Sequence, residues 1–353
     1  MTIKPDTVSA GQEQETIGQE QIGSSANWVR VWVRGLFSYR ETGIVIALVV
    51  LFVYLCFASE SFRSQFNLTV VAEQMAAIGI MATGQTLVII AGAFDVSQAA
   101  VTGLSAMVIG IMWGHAGLNP ILAIMIGLAT GALAGAVNGI LASRFKLHPI
   151  IMTLATSVIF VSLTYVITHG IPVIGLPPQL LWAGSALLGP IPVSTLIMLV
   201  VVALMQVLLT RTRYGLRVRQ VGGNVEAARL IGVNVPLVLL GVFVISGFLS
   251  ALGATIELGR VGNAIPTLGS TLLFPIITAS ILGGTLLSGG EGSMVGTVAG
   301  AAVLTIINNA LVVLQVDPYA QGVVQGGLVV AALIVDQFRR RQLTFRDLIR
   351  TEL

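Results

Sequence analysis

Charged side chains are scarce along this 353-residue chain: Asp, Glu, Lys and Arg together make up 9% of it. Ordinary soluble domains carry roughly 25%. So few charges cannot cover a water-exposed surface, which excludes a soluble globular fold. Cysteine is nearly absent as well. Cys56 stands alone inside an apolar run, so no disulfide framework can form. Leu55 before it is too bulky for a lipoprotein cleavage site, and Cys56 reads as core. Lysine is limited to Lys4 and Lys146, neither in a G-x-x-x-x-G-K-S/T loop that would cradle nucleotide phosphates, so this chain does not hydrolyse ATP by that route. His115, His148 and His169 flank apolar runs and offer no ligand pair at metal spacing, so no metal is expected. The net charge of +3 comes without basic residues interleaved with exposed aromatics, and nucleic acid is not an expected partner.

Apolar and small side chains are abundant instead: 55% of residues are hydrophobic and 40 are glycine. Apolar stretches approach the 20 or so residues that a helix needs to cross roughly 30 Å of hydrocarbon. Glycine at this level lets helix backbones approach closely where lipid supplies no hydrophobic drive. The expected fold is therefore an all-α polytopic transmembrane helix bundle of about ten spans. They fall near 42–58, 69–91, 96–113, 119–142, 149–168, 193–209, 236–256, 272–288, 293–315 and 321–335. Segment 96–113, which follows Asp95, and segment 272–288, which contains Pro275, are each compatible with a broken or re-entrant helix.

With ten spans and the N-terminus inside, the inner connections collect sixteen of the 18 basic residues, leaving only Arg63 and Arg260 outside. Both termini are thus expected in the cytoplasm. Residues 1–40 form a polar cytoplasmic tail and juxtamembrane segment with no signal-peptide pattern. Residues 41–335 form the membrane domain, interrupted by a cytoplasmic loop at 210–235, and 336–353 form a basic cytoplasmic tail.

The loop contains a short helix with readable ends. Asn224 suits an N-cap, Glu226 lies in the first turn where negative charge complements the helix dipole, and Gly232 can supply a left-handed terminator. A helix from about Val225 to Ile231 is too short to stand alone. Its Ala227, Ala228, Leu230 and Ile231 must pack against the bundle or another protein.

Two polar breaks interrupt the apolar sequence. Around Asp95 and Ser97, the junction of two spans reads either as the cap of a broken helix or as part of a transport path. The predicted topology puts it at the cytoplasmic surface, where hydration would remove most of the cost of the carboxylate. The second break, Leu282 to Gly296, gathers glycines around Glu291 in a tight turn. A Gly-rich turn with one acid in each half hints at an internal repeat. Gln74, Gln85, Asn138, Asn308 and Asn309 either line a path for a hydroxylated solute or hydrogen-bond between helices.

The stretch Thr212-Arg-Tyr-Gly-Leu-Arg followed by Gly222-Gly-Asn-Val-Glu-Ala-Ala-Arg-Leu-Ile-Gly-Val-Asn234 resembles the cytoplasmic motif of ribose-type sugar ABC importer permeases, within the group that includes branched-chain amino-acid permeases. The resemblance spans about residues 40–335, with further matches at Asp95-Val-Ser97, Pro266-Thr-Leu-Gly269, Leu282-Gly-Gly-Thr285, Gly289-Gly-Glu-Gly292 and Asn308-Asn309.

It implies the ABC importer permease fold in a bacterial cytoplasmic (inner) membrane. It also implies a pore of two such subunits, identical or different, and a solute-binding protein that delivers a small hydroxylated solute such as a monosaccharide. A coupling helix would be seated on a separate ATPase that holds ATP and Mg. Gly222, Gly223, Asn224, Glu226, Ala227, Ala228, Arg229 and Gly232 would then couple to the ATPase, and no catalytic residue is expected. The sequence departs from the family at Gln98, usually apolar, and at Thr271-Leu-Leu-Phe-Pro275, where the family has G-Y-E-L-D. The rival classes are poorly served: an ion-coupled secondary transporter needs mid-span ionisable relays, and the only candidates, Glu73 and Asp95, lie near span ends. No catalytic constellation suggests a membrane enzyme.

Overall fold

The computed structural model describes residues 42–145 and 147–339, and the expected tail at 1–40 lies outside them, as does 340–353 of the basic C-terminal tail. In chain order the helices are α1 (Thr42–Ala58), α2 (Gln65–Ile90), α3 (Gln98–Gly114), α4 (Pro120–Arg144), α5 (Pro149–Thr168) and α6 (Pro178–Ser185). There follow α7 (Val193–Arg211), α8 (Arg213–Gly223), α9 (Val225–Leu230), α10 (Val235–Val261), α11 (Leu273–Leu282), α12 (Met294–Val313) and α13 (Pro318–Arg339). One antiparallel hairpin of two-residue strands, β1 (Leu187–Leu188) and β2 (Ile191–Pro192), is the departure from an all-α reading.

Among the described residues, six helices are long and apolar enough to cross a membrane: α2, α4, α5, α7, α10 and α12. Four shorter apolar helices lie in α1, α3, α11 and α13. The protein is a multi-pass helical membrane protein. Local chemistry sets several helix starts: Ser64 caps α2, Asn119 caps α4 ahead of Pro120, and Ser293 caps α12, each side chain accepting a first-turn N–H.

Of the readings open for segment 272–288, the structure shows a short helix and not a continuous one. The α11 helix has 10 residues, about 15 Å of rise and half a bilayer core. Pro275 falls in its first turn, where a missing N–H leaves no orphan, and Gly284 at φ 92 ends it. By contrast α3 is continuous from Gln98 to Gly114.

The core is centred on α2 and α10, which pack against each other. Against α10 lie α3, α4 and α6, and against α2 lie α7, α11 and α12. The α4–α10 seam is a stripe of small residues. A Cβ on Gly131 would overlap the Gly247 carbonyl, one on Gly135 the Phe243 carbonyl, and one on Gly139 would lie 2.8 Å from Leu240 Cα. The two backbones are therefore in contact, as the glycine content of the sequence anticipates. The outer face of α5 is bare: Ile151, Leu154, Val158 and Ile159 are all exposed.

Candidate functional site

At one end of the bundle, residues 211–235 fold into α8 and α9. Thr212 opens α8 by accepting the N–H of Gly215 at 3.1 Å. The α8 helix buries Gly215, Val218 and Val221 and leaves Arg213, Leu216 and Arg217 exposed. Tyr214 fastens it to α10, its hydroxyl donating to the Val238 carbonyl at 3.1 Å in the space left by Gly241. Burial pushes the Tyr214 phenol well above its usual range, so it remains a donor.

The α9 helix forms over Val225–Leu230, and its N-cap is Asn224, whose side-chain oxygen accepts the N–H groups of Glu226 and Ala227, both at 3.0 Å. Such a cap contributes about 1 kcal/mol. Arg229 pairs with Glu226 one turn back, and Gly232 at φ 81 follows the helix. The four apolar residues do not act as one face. Ala228 is 1% exposed and anchors the helix to the bundle, whereas Ala227 faces outward and Leu230 and Ile231 project at 89% and 65% exposure.

Just before α9, three chain segments meet backbone to backbone. The N–H of Gly290 donates to the Ile90 carbonyl at 2.8 Å, joining the 289–290 turn to the end of α2. Gly222 fills the remaining angle: a Cβ there would overlap the Ile90 carbonyl oxygen and stand 2.7 Å from Gly290 N. A Cβ on Gly289 would lie 3.0 Å from Gly92 Cα and 3.1 Å from Gly222 Cα. Gly223, one residue on, would meet nothing within 4 Å. The two glycines that look alike in sequence therefore differ: Gly222 is required by close approach and Gly223 is not. The two Gly-rich breaks and the loop helix are a single junction.

Beyond this junction lies a buried polar cluster at the α2–α3 break. Asp95 is 2% exposed. It is enclosed by protein, contrary to the hydrated surface position expected from sequence, because the break folds under α4 and α10. Its Oδ1 accepts the backbone N–H and hydroxyl of Ser97 at 2.9 and 2.6 Å, and its Oδ2 accepts the hydroxyl of Ser246 at 2.9 Å. Each hydroxyl in turn accepts an amide: Asn138 Nδ2 donates to Ser97 at 2.7 Å and Gln98 Nε2 to Ser246 at 2.7 Å. Two amide–hydroxyl–carboxylate relays thus tie α3, α4 and α10 to one acid, and charge-assisted bonds of this kind offset its burial. Thr153 of α5 holds the same break by accepting from Val96 N at 3.1 Å, while its own hydroxyl donates back to the Pro149 carbonyl at 2.8 Å.

The remaining path candidates are scattered. Asn309 exchanges two hydrogen bonds with Asn67, at 2.9 and 2.8 Å, and Asn308 accepts from Gln325 at 3.3 Å. These are braces between α12 and its neighbours. Gln74 is partly buried on α2. Both amide atoms of Gln85, Oε1 of Gln98 and Oδ1 of Asn138 are buried without a partner among the described residues. Ser246 is the residue that the sequence reading missed. Its signal is Ser246 and Ser250 at i and i+4 beside Gly247, a small-residue face inside an otherwise apolar run. Among the described residues no group of His, Cys, Asp and Glu could hold a metal.

Residues 67–333, spanning the junction and the cluster, match the family described as branched-chain amino acid transport system / permease component. The chain belongs to this permease family. Among curated relatives, the permease is 36% identical over 303 residues to the ribose import permease of Bacillus subtilis (strain 168), covering 84% of this chain and 93% of the relative. It is 34% identical over 318 residues to the D-allose transport system permease of Escherichia coli (strain K12), covering 90% and 97%. The fructose import permease of Rhizobium meliloti is 32% identical over 291 residues, covering 79% and 80%. No solved structure matches the chain. The family description is that of a transport permease component.

Proposed function

We propose that this permease is the membrane subunit of an ATP-driven ABC importer that moves a small neutral hydroxylated solute, a monosaccharide, across a bacterial cytoplasmic membrane. The observation that carries the reading is the capped α9 helix with its bare Leu230 and Ile231, in a chain whose relatives are sugar import permeases. Large apolar side chains left bare at the end and cap of a six-residue helix gain nothing in water and fit a cleft in a partner. That partner is the ATPase subunit, which holds ATP and Mg. A second permease, identical or different, completes the pore, and an extracytoplasmic binding protein delivers the solute.

In this reading the chain has ten spans with both termini in the cytoplasm, the four shorter apolar helices completing the six long ones and α11 crossing together with the non-helical segment 262–272 that leads into it. ATP-driven closure of the ATPase displaces α9. The junction of Gly222, Ile90 and Gly290 passes the displacement to the α2–α3 and α11–α12 breaks, because backbone in contact cannot give way. The Asp95 cluster keeps the first break rigid, so α3 moves as a body. Asn224, Glu226 and Arg229 hold α9 in shape, Ala228 roots it, and Leu230 and Ile231 engage the ATPase.

Replacing Leu230 with Asp is expected to weaken ATPase binding at least about tenfold, a change of about 1.4 kcal/mol, with the permease still folded because the side chain touches nothing in the bundle. Affinity purification of tagged permease in mild detergent, with co-purifying chains identified by mass spectrometry, tests both claims. An ABC ATPase retained by wild type and lost from Leu230→Asp supports the reading. A wild-type permease that purifies alone, with uptake that survives ATP depletion, replaces it with ion-coupled transport.

A further inference from the structure

A cavity of 270 Å3 lies between α3, α5 and the 266–273 segment, directly beside the Asp95 cluster. Besides Thr164, its lining carries four hydroxyls, those of Ser157, Tyr165, Thr267 and Ser270. None of the four is used in a hydrogen bond among the described residues, unlike Thr164 nearby, which donates to the Phe160 carbonyl at 2.8 Å. Another part is apolar, with Val96, Val161 and Leu273. No charged side chain lines it.

The walls are firmly placed. Val96 is held by its N–H on Thr153 and by Asp95 beside it. A Cβ on Gly269 would overlap the Ala99 carbonyl, so the 266–270 segment rests on the backbone of α3. Tyr165, Thr267 and Ser270 are exposed and Ser157 is partly buried, so their unengaged hydroxyls are free to hydrogen-bond a hydroxylated ligand. The size falls just below the usual range of about 300–1,000 Å3 for small-molecule sites. It admits a single small ring and no more. A charged ligand would be desolvated there without a counter-charge.

We propose that this cavity is a solute station of the permease, taking a neutral polyhydroxylated molecule of monosaccharide size with its hydroxyls on Ser157, Tyr165, Thr267 and Ser270 and its C–H face on Val96 and Leu273. The inference rests on the importer reading and adds to it a place and a set of specificity-determining side chains. The lining includes no carboxylate, so the station holds its solute without one.

The test uses the assembled importer in proteoliposomes, with binding protein saturated by radiolabelled D-ribose, D-allose or D-galactose, whichever wild type moves fastest. The double variant Thr267→Val with Tyr165→Phe is expected to lower maximal uptake about tenfold at an unchanged rate of ATP hydrolysis, and the KM set by the binding protein should stay the same. Thr267→Ser should restore uptake in place of Thr267→Val. Wild-type uptake by the double variant overturns the station while leaving the importer reading intact; failure of wild type to move any of the three sugars overturns the reading and the station's solute class together. If the double variant does not assemble, Thr267→Cys in a Cys56→Ser background decides the matter by its labelling with a small methanethiosulfonate. Protection by the carried sugar supports the station, and an unchanged labelling rate overturns it.

Discussion

Gly222→Ala is expected to lower solute uptake by about a hundredfold, whereas Gly223→Ala stays within about twofold of wild type. The added methyl at Gly222 would occupy the position of the Ile90 carbonyl oxygen and crowd Gly290 N, so the α2 end, the α8 end and the 289–290 turn must separate. Inserting one methyl into a packed site costs about 1–3 kcal/mol, and a hundredfold loss corresponds to about 2.7 kcal/mol. Neither substitution disfavours a helix, since alanine is the better helix former; the difference between them therefore isolates the close approach. The informative readout is uptake per ATP hydrolysed in proteoliposomes. On the importer reading proposed above, Gly222→Ala should retain ATP hydrolysis and lose uptake, because the damage lies between the proposed ATPase contact at α9 and the helices it would move. Equal behaviour of the two variants would contradict a tight junction.

Asp95→Ala should lose about 3 kcal/mol of stability, and Asp95→Asn about half of that. Alanine removes the acceptor for three hydrogen bonds and leaves the Ser97 and Ser246 hydroxyls, with the Ser97 N–H, buried and unpaired. Bonds to a charged partner contribute about 1.5–3 kcal/mol each and are costly to leave unmade. Asparagine keeps one carbonyl acceptor and presents an amide where a hydroxyl now donates. Thermal unfolding of purified permease in detergent measures the effect, and uptake should fall along with the melting temperature. An Asp95→Ala variant with unchanged melting temperature and full uptake would mean that the carboxylate does not hold the break.

Much of the helical architecture was legible because it follows from length and hydropathy. The helices over 42–58 and 149–168 coincide with apolar runs bounded by polar residues or proline. The loop helix was legible too, since Asn224 and Gly232 carry backbone chemistry that local sequence specifies. Tertiary relations were not. Nothing local distinguishes Gly222 from Gly223, and only the approach of Ile90 and Gly290 separates them. Asp95 looked like a surface residue because hydropathy cannot report that Ser246, 151 positions away, closes over it. Asn308 and Asn309 stayed open between a path and an interhelical bond because an amide in an apolar run has the same appearance whether its partner is a solute or Asn67. The segment 272–288 appeared long enough to span because its apolar content continues past Leu282, while the glycines at 283 and 284 end the helix.

Reconstituting the permease with the proposed ATPase and binding protein in proteoliposomes, and following uptake of D-ribose, D-allose and D-galactose with and without ATP, tests the importer reading most directly. ATP-dependent accumulation of at least one sugar, stimulated by the binding protein and insensitive to dissipation of ion gradients, is the predicted result. Accumulation of sugar that needs an ion gradient and proceeds without ATP would contradict it.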